Sequence, residues 1–290
     1  MRTILPIALS LALPLAASAS GNDGAAPTPP TAGQESVLAV PSGYVLAWAD
    51  EFDVPGLPNP AHWDYDTERN KAGWYNDELQ YYGKARPENS VVRDGKLIIT
   101  ARKEKHRSAR DWGGQAYTSA RLFTRGRHEW TYGFVSVRAK IPCGPGTWPA
   151  IWMLGSTGDW PARGELDIME QFGNDPGRIL STTHTTAASA DKGVGGHTRL
   201  ADACDAFHDY QMLWTPDEVR FGIEGRQHFV YRNEGRGKDQ WPFDAPHFLL
   251  LNVAIGGTLG GPVDDSILPV TMEVEHVRVW QKAGEQPALK

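Results

Sequence analysis

Glu165, Asp167 and Glu170 place three carboxyl groups within the short run Gly164-Glu165-Leu166-Asp167-Ile168-Met169-Glu170. A pair of such groups, one ionised and one protonated, is the equipment for cleaving an acetal bond through a carboxylate nucleophile and a general acid. Regular strand alternation turns Glu165 and Asp167 to one face and Leu166 and Ile168 to the other, but it turns Glu170 the wrong way. A β-bulge at Ile168-Met169, two residues in one pleat position, restores the register and brings all three acids to the same face. Glu170 then lies four pleat positions from Glu165, so the Cα atoms are ~13 Å apart at ~3.3 Å per residue. Two long side chains leaning together close that gap to the ~5–5.5 Å required between nucleophile and acid/base.

Three like charges on one strand raise one another's pKa and add nothing to a core, so stability does not explain them. A solvated acidic strand edge is the plain alternative. Asp167 is too short to reach a substrate easily. Its expected work is hydrogen bonding to the neighbouring carboxyls, keeping Glu165 ionised while Glu170 holds its proton.

The elements that must position these groups read as strands. In Trp148-Pro149-Ala150-Ile151-Trp152-Met153-Leu154, period-two alternation sends Trp148, Ala150 and Trp152 to one face and Ile151 and Met153 to the core. Indole faces suit the flat apolar side of a pyranose ring, and Trp148, Trp152 and Trp160 are the candidates for sugar contact. Trp48, Trp63, Trp214 and Trp280 read as core. Val91 to Thr100 is a hairpin turned by Asp94-Gly95, and Pro216-Asp217 and Glu224-Gly225 punctuate later strands in the same way. His247 to Ile255 and Thr271 to Gln281 read as strands buried between two sheets. Many strands at short intervals, with no long repeat, predict an all-β chain folded as a two-sheet antiparallel β-sandwich, although a barrel shares the pattern.

Hydrophobic residues at 40% and charged residues at 22% describe a globular chain with a sizeable core rather than a disordered one. A formal charge of −6 gives no basic surface for nucleic acid or anionic lipid, so a neutral or polymeric substrate is expected. Residues 1–19 read as a cleaved signal peptide: Arg2, the apolar run Ile4 to Leu15, and Ala17-Ser18-Ala19. That run is too short to span a membrane. The expected location is therefore secreted or periplasmic. Residues 20–40, with Pro27, Pro29 and Pro30, read as a flexible linker, 41–283 as one catalytic domain and 284–290 as a tail. Cys143 and Cys204 are either a bridge or two separate thiols; neither has the spacing of a zinc or redox site.

Glu165-Leu166-Asp167-Ile168-Met169-Glu170 resembles the active-site signature of glycoside hydrolase family 16, in the bulged form of its laminarinase-like (endo-β-1,3-glucanase) branch. Trp74 to Tyr82, Tyr117 to Leu122, Gly146 to Leu154, Phe207 to Asp217, Leu251 to Gly257 and Val277 to Gln281 resemble further segments of the family, in order. The resemblance implies a β-jelly roll with a concave substrate cleft, Glu165 as nucleophile and Glu170 as acid/base. It also nominates Asn76, Arg121 and His184 as cleft residues. Read alone, these could be a turn cap, a salt-bridge partner and a half-buried histidine. The inserted Met169 and the Asn76 to Tyr82 segment favour β-1,3-linked, laminarin-like glucan. Mixed-linkage glucan, galactan, or β-glucan binding without cleavage are the alternatives. Thr258, Gln171 and Ala120 depart from the family pattern and bear on subsite preference. No cofactor is implied for catalysis. A structural calcium is implied near Glu51, with Asp50 as a further candidate ligand, although Glu275 stands where Asp is usual. A monomer acting on polysaccharide, without nucleic acid or membrane, completes the expectation. No HExxH zinc motif or GxSxG elbow supports a metal or serine hydrolase.

Overall fold

The computed structural model describes residues 37–189 and 193–284. The segments expected to be a signal peptide, a linker (up to residue 36) and a tail (from residue 285) lie outside the described residues.

Two sheets face each other. The first has the strand order β15 (Arg226–Arg232), β14 (Glu218–Ile223), β13 (His208–Trp214), β8 (Gly133–Lys140), β17 (Val270–Lys282), β5 (Lys96–Lys103), β6 (Tyr117–Ser119) and β3 (Gln80–Tyr82). β1 (Tyr44–Asp50) also pairs with β17, and β4 (Ser90–Arg93) with β5. The second, which carries the acids, has the order β12 (Val194–Arg199), β11 (Arg178–His184), β10 (Glu165–Gln171), β9 (Thr147–Gly155), β16 (His247–Ile255), β7 (Arg121–Phe123) and β2 (Asp64–Tyr65). All pairings are antiparallel except β3 with β6. This is the expected two-sheet sandwich. Open strand orders at both sheets exclude the barrel.

The core lies between the sheets and follows the alternation of each strand. Ile151 and Met153 of β9, Leu166 of β10, Val277 and Val279 of β17 and Met212 of β13 all enter it. β16 divides differently from the expectation of burial between the sheets. Leu249, Leu251, Val253 and Ile255 face the core, whereas Phe248 and Leu250 form a separate cluster on the outer face with Phe123 and Leu154. Trp63 and Trp214 are core as expected, and Trp48 packs against the core from its edge. Trp280 is a correction. Alternation turns Val277 and Val279 inward, so Trp280 shares the outer face of β17 with Arg278 and meets Phe134 edge-on.

The turn chemistry reads through. Asp94 and Gly95 adopt φ of 53° and 69° between β4 and β5, and Glu224 and Gly225 adopt 50° and 76° between β14 and β15, the left-handed pair of a type I′ hairpin. The packed chain begins before residue 41. Leu38 is 2% exposed, and its N–H donates to the Gly225 carbonyl at 2.7 Å. An apolar side chain docked on the Glu224-Gly225 turn outweighs the flexible composition around it.

Cys143 and Cys204 are bridged, with Cα atoms 5.7 Å apart and a sequence separation of 61. The bond ties the loop entering β9 to the loop entering β13. A closed loop of this length limits the unfolded chain by ~4 kcal/mol. The double replacement Cys143→Ser, Cys204→Ser is expected to lower Tm by about 10 °C, from ~2–4 °C per kcal/mol at this size, with calorimetry as the check.

Candidate active site

β10 is kinked where the sequence requires it. Against β9 the pairs are Glu165 with Leu154, Asp167 with Trp152, Met169 with Ile151 and Glu170 with Ala150, leaving Ile168 without a partner. Ile168 and Met169 both enter the core, at 1% and 0% exposure. Two consecutive apolar residues share one side because burying both outweighs a regular ladder, and Glu170 is thereby returned to the face of Glu165 and Asp167. On the other flank His184 of β11 pairs with Glu165, and Thr182 with Asp167.

The three acids differ in surroundings. Glu170 accepts a hydrogen bond at Oε1 from Trp148 Nε1–H, 2.9 Å away, which leaves Oε2 to carry a proton. Burial first, and then the proximity of the acids Asp167 and Glu165, push its pKa up to about 8, while the Trp148 donor pulls it back. Asp167 lies well above the ordinary carboxylate range through burial first, then through the Glu165 charge and a hydrogen bond to Glu165. A protonated Asp167 therefore donates to Glu165. Trp160 Nε1–H donates to Glu165 Oε2 at 2.7 Å, and His184 Nε2 stands 3.2 Å from Asp167 Oδ2. Donors thus surround Glu165, and a buried neutral Glu170 is poised as an acid. Asp167 is within hydrogen-bonding reach of Glu165, and burial contributes more to the Glu170 shift than the Glu165 charge does.

The tryptophans have distinct positions. Trp160 is 43% exposed at the rim, its ring centre 6.2 Å from that of His184. Trp148 is only 7% exposed, with its N–H on Glu170, so its place is to hold the acid rather than to offer an open platform. Trp152 donates from Nε1 to Asn252 Oδ1 at 2.8 Å, and the Arg121 guanidinium lies 4.6 Å above its ring. Arg121 is also 5.2 Å from the Trp74 ring centre and 3.2 Å from Asp66 Oδ2. It is at once a salt-bridge partner and a wall of the groove. Asn76, at φ 56°, sits exposed on the turn Tyr75–Asp77, its carbonyl packed against Gly257.

Three further residues of this face were not singled out from sequence. Glu78 lies under Arg121 and accepts from Gln80 Nε2 at 2.8 Å; burial raises its pKa, with Arg121 opposing. Asn252 is the lone polar side chain in the apolar run Phe248 to Ile255, a signal that could have found it. Trp74 is buried beneath Arg121, and nothing in its sequence context separates it from a core tryptophan.

The residues nominated for calcium are engaged otherwise. Both Glu51 oxygens accept from Arg278, at 2.7 and 2.8 Å, and Glu275 accepts from Arg138 at 2.8 Å. Asp50 accepts from Trp63 Nε1 and the Phe52 N–H. Guanidinium groups supply the charge that an ion would bring, so this arrangement does not fit a calcium. Among the described residues, the acids and imidazole close enough to share an ion are Glu165, Asp167 and His184. Two carboxyl groups working as nucleophile and acid need no cofactor. No helix among the described residues is long and apolar enough to cross a membrane.

Comparison with known proteins agrees with this geometry. The family model described as Glycosyl hydrolases family 16 matches residues 78–266. A β-glucanase of Rhodothermus marinus is 44% identical over 252 residues, covering 82% of this chain and 85% of that protein. The crystal structure of SCLam, a non-specific endo-β-1,3(4)-glucanase, is 51% identical with a TM-score of 0.83, covering 85% of this chain and 94% of that one. The structure of the laminarinase from Rhodothermus marinus has a TM-score of 0.77 and 44% identity, covering 82% and 97%. The family match spans every strand of the second sheet except β2 and includes the bulged β10 with its three acids, and the chain belongs to glycosyl hydrolases family 16.

Proposed function

We propose that this protein is an endo-acting β-glucanase that cleaves β-1,3 linkages of laminarin-like glucan with retention of configuration. The observation that carries the reading is the Ile168–Met169 bulge, which sets a neutral Glu170 on the same open face as the donor-lined Glu165. Glu170 protonates the glycosidic oxygen as the Glu165 carboxylate attacks the anomeric carbon, giving a glycosyl ester. The leaving chain departs, and the ionised Glu170 takes a proton from water, which releases the sugar and restores both groups. Asp167 holds Glu165 by its hydrogen bond and keeps a third negative charge out of the site.

Relatives that include a laminarinase and a non-specific endo-β-1,3(4)-glucanase support a β-glucan substrate, with mixed-linkage glucan as the second candidate. Incubation with laminarin, lichenan, agarose and xyloglucan, with sizing of the products and early proton NMR, tests the reading. Mid-chain cleavage of laminarin with a β-anomer appearing first is expected; an α-anomer first, or no cleavage of either glucan, overturns it. The leader-like residues 1–19 and the Cys143–Cys204 bridge support action outside the cytoplasm, as a monomer that light scattering can verify.

Asn252→Leu removes the acceptor of the Trp152 N–H while leaving the acids untouched. The expected result is a roughly fivefold rise in KM for laminarin, near the ~1 kcal/mol of one hydrogen bond, with kcat less affected. Michaelis kinetics decides it.

A further inference from the structure

The apolar cluster Phe123, Leu154, Phe248 and Leu250 lies on the same face as the acids, beginning beside Glu165 and continuing to β7. It floors a hollow of about 100 Å³. Four arginines line this hollow, Arg69, Arg121, Arg125 and Arg163, against two acids, Asp66 and Glu68. Asp66 is taken by Arg121 and Glu68 by Arg125. In a chain of net charge −6, this leaves Arg69 and Arg163 without a salt bridge to an acid of the hollow, at one spot beside the face that carries the catalytic acids.

Covering an apolar patch with arginine stems accounts for part of the arrangement. Arg125 lies 4.9 Å from the Phe123 ring centre, and Arg69 lies 4.7 Å from that of Tyr75. Arg163 has no such explanation. It precedes Glu165 by two residues and contacts no ring at cation–π distance. Among the described residues its side chain makes no hydrogen bond or ion pair, and it lines the hollow with its Nε buried and unpartnered. Burial pushes its pKa down, and the nearby Arg125 and Arg121 charges add to this, partly offset by Glu165. A guanidinium held in that position is a donor awaiting an acceptor.

We propose that this pocket receives an oxyanion, a carboxylate or sulfate, carried by the glucan, with Arg163 as its principal donor. The proposal rests on the β-glucanase reading and refines its substrate class. The hollow runs from Leu154, the partner of Glu165, to β7, which is three strands from β10 or about 14 Å at ~4.8 Å per strand, so the charged substituent sits within about three sugar rings of the bond that is cut.

The test compares laminari-oligosaccharides of equal length that are neutral, oxidised to a C6 carboxylate, or 6-sulfated. The ratio of charged to neutral kcat/KM is measured for the wild type and for Arg163→Gln, Arg163→Lys and Arg125→Gln. A ratio of about ten or more at low salt is expected, the gain of one charge-assisted contact of ~1.4 kcal/mol. It should fall towards one at high salt and in Arg163→Gln, and be partly kept in Arg163→Lys. The arm with the larger ratio identifies the group. A ratio of one or less for both charged substrates, or the same ratio in wild type and Arg163→Gln, overturns the proposal. Calorimetric binding of the three oligosaccharides to a Glu165→Gln variant reads the pocket without turnover. A failure of the glucanase reading is thereby separated from a failure of this one.

Discussion

Glu165→Ala is expected to lower kcat on laminarin by about 10⁴–10⁶-fold, the scale on which removal of a nucleophile acts. The variant should fold, because the partner left behind by Glu165 at the rim, Trp160, is half exposed and can turn its N–H to water. The space vacated by the carboxylate lies beside the anomeric carbon, so sodium azide should restore part of the rate. Azide attacks from the side that Glu165 used, and the glycosyl azide formed must carry the anomer opposite to the substrate. Activity that survives the substitution, or an azide product of the same anomer as the substrate, contradicts a Glu165 nucleophile. Asp167→Asn separates the two roles on this strand. It keeps the shape and a hydrogen bond to Glu165, and is expected to cost less than Glu165→Ala in the same assay.

Glu170→Gln is expected to lower kcat/KM by about 10²–10⁴-fold for substrates with poor leaving groups. The pH profile carries the more specific signature. Glu170 must be protonated to act, and its pKa is pushed up to about 8, so the alkaline limb of kcat/KM should fall near pH 8. Trp148→Phe removes the N–H that favours the ionised form, so it should move that limb to higher pH. A limb that stays in place, or shifts downward, shows that Glu170 is not the group being titrated.

The same group links pH to stability. Because the folded state holds the Glu170 proton between the ordinary value of 4.5 and about 8, its contribution is complete below the unfolded value. It is lost as pH rises through about 8. The displacement corresponds to roughly 5 kcal/mol at most. Glu170→Gln, which never ionises, should therefore gain Tm over wild type as pH is raised from 5 towards 9, with little gain at the acid end. Differential scanning across that range tests the sign. The acid is thus held at a cost in stability that the rest of the sandwich sustains.

How much of this was legible can be judged element by element. The bulge was readable because the alternation of Glu165, Asp167 and Glu170 fails by one residue, and one inserted position repairs it. The turns at Asp94-Gly95 and Glu224-Gly225 were readable because few residue pairs tolerate two left-handed positions in succession. Trp280 was misread because aromatic character does not report a side, whereas its place between inward-facing Val279 and Gln281 does. Trp148 passed for a sugar platform because its partner, Glu170, is 22 residues away and meets it only across two paired strands. The Cys143–Cys204 bridge stayed open for the same reason, since no local pattern tells whether two loops approach.

By itself the sequence determined the strands, the hairpin turns, the face on which the acids lie and the chemistry those acids can perform. Each depends on residue type and on a period of two along a single segment. Only the tertiary structure decided that burial more than the Glu165 charge keeps Glu170 neutral, which tryptophan holds it, and that Glu78 and Asn252 share its groove with Arg121. Those properties follow from desolvation and from charges on strands far apart in sequence, and exist only once the sheets have closed over their core.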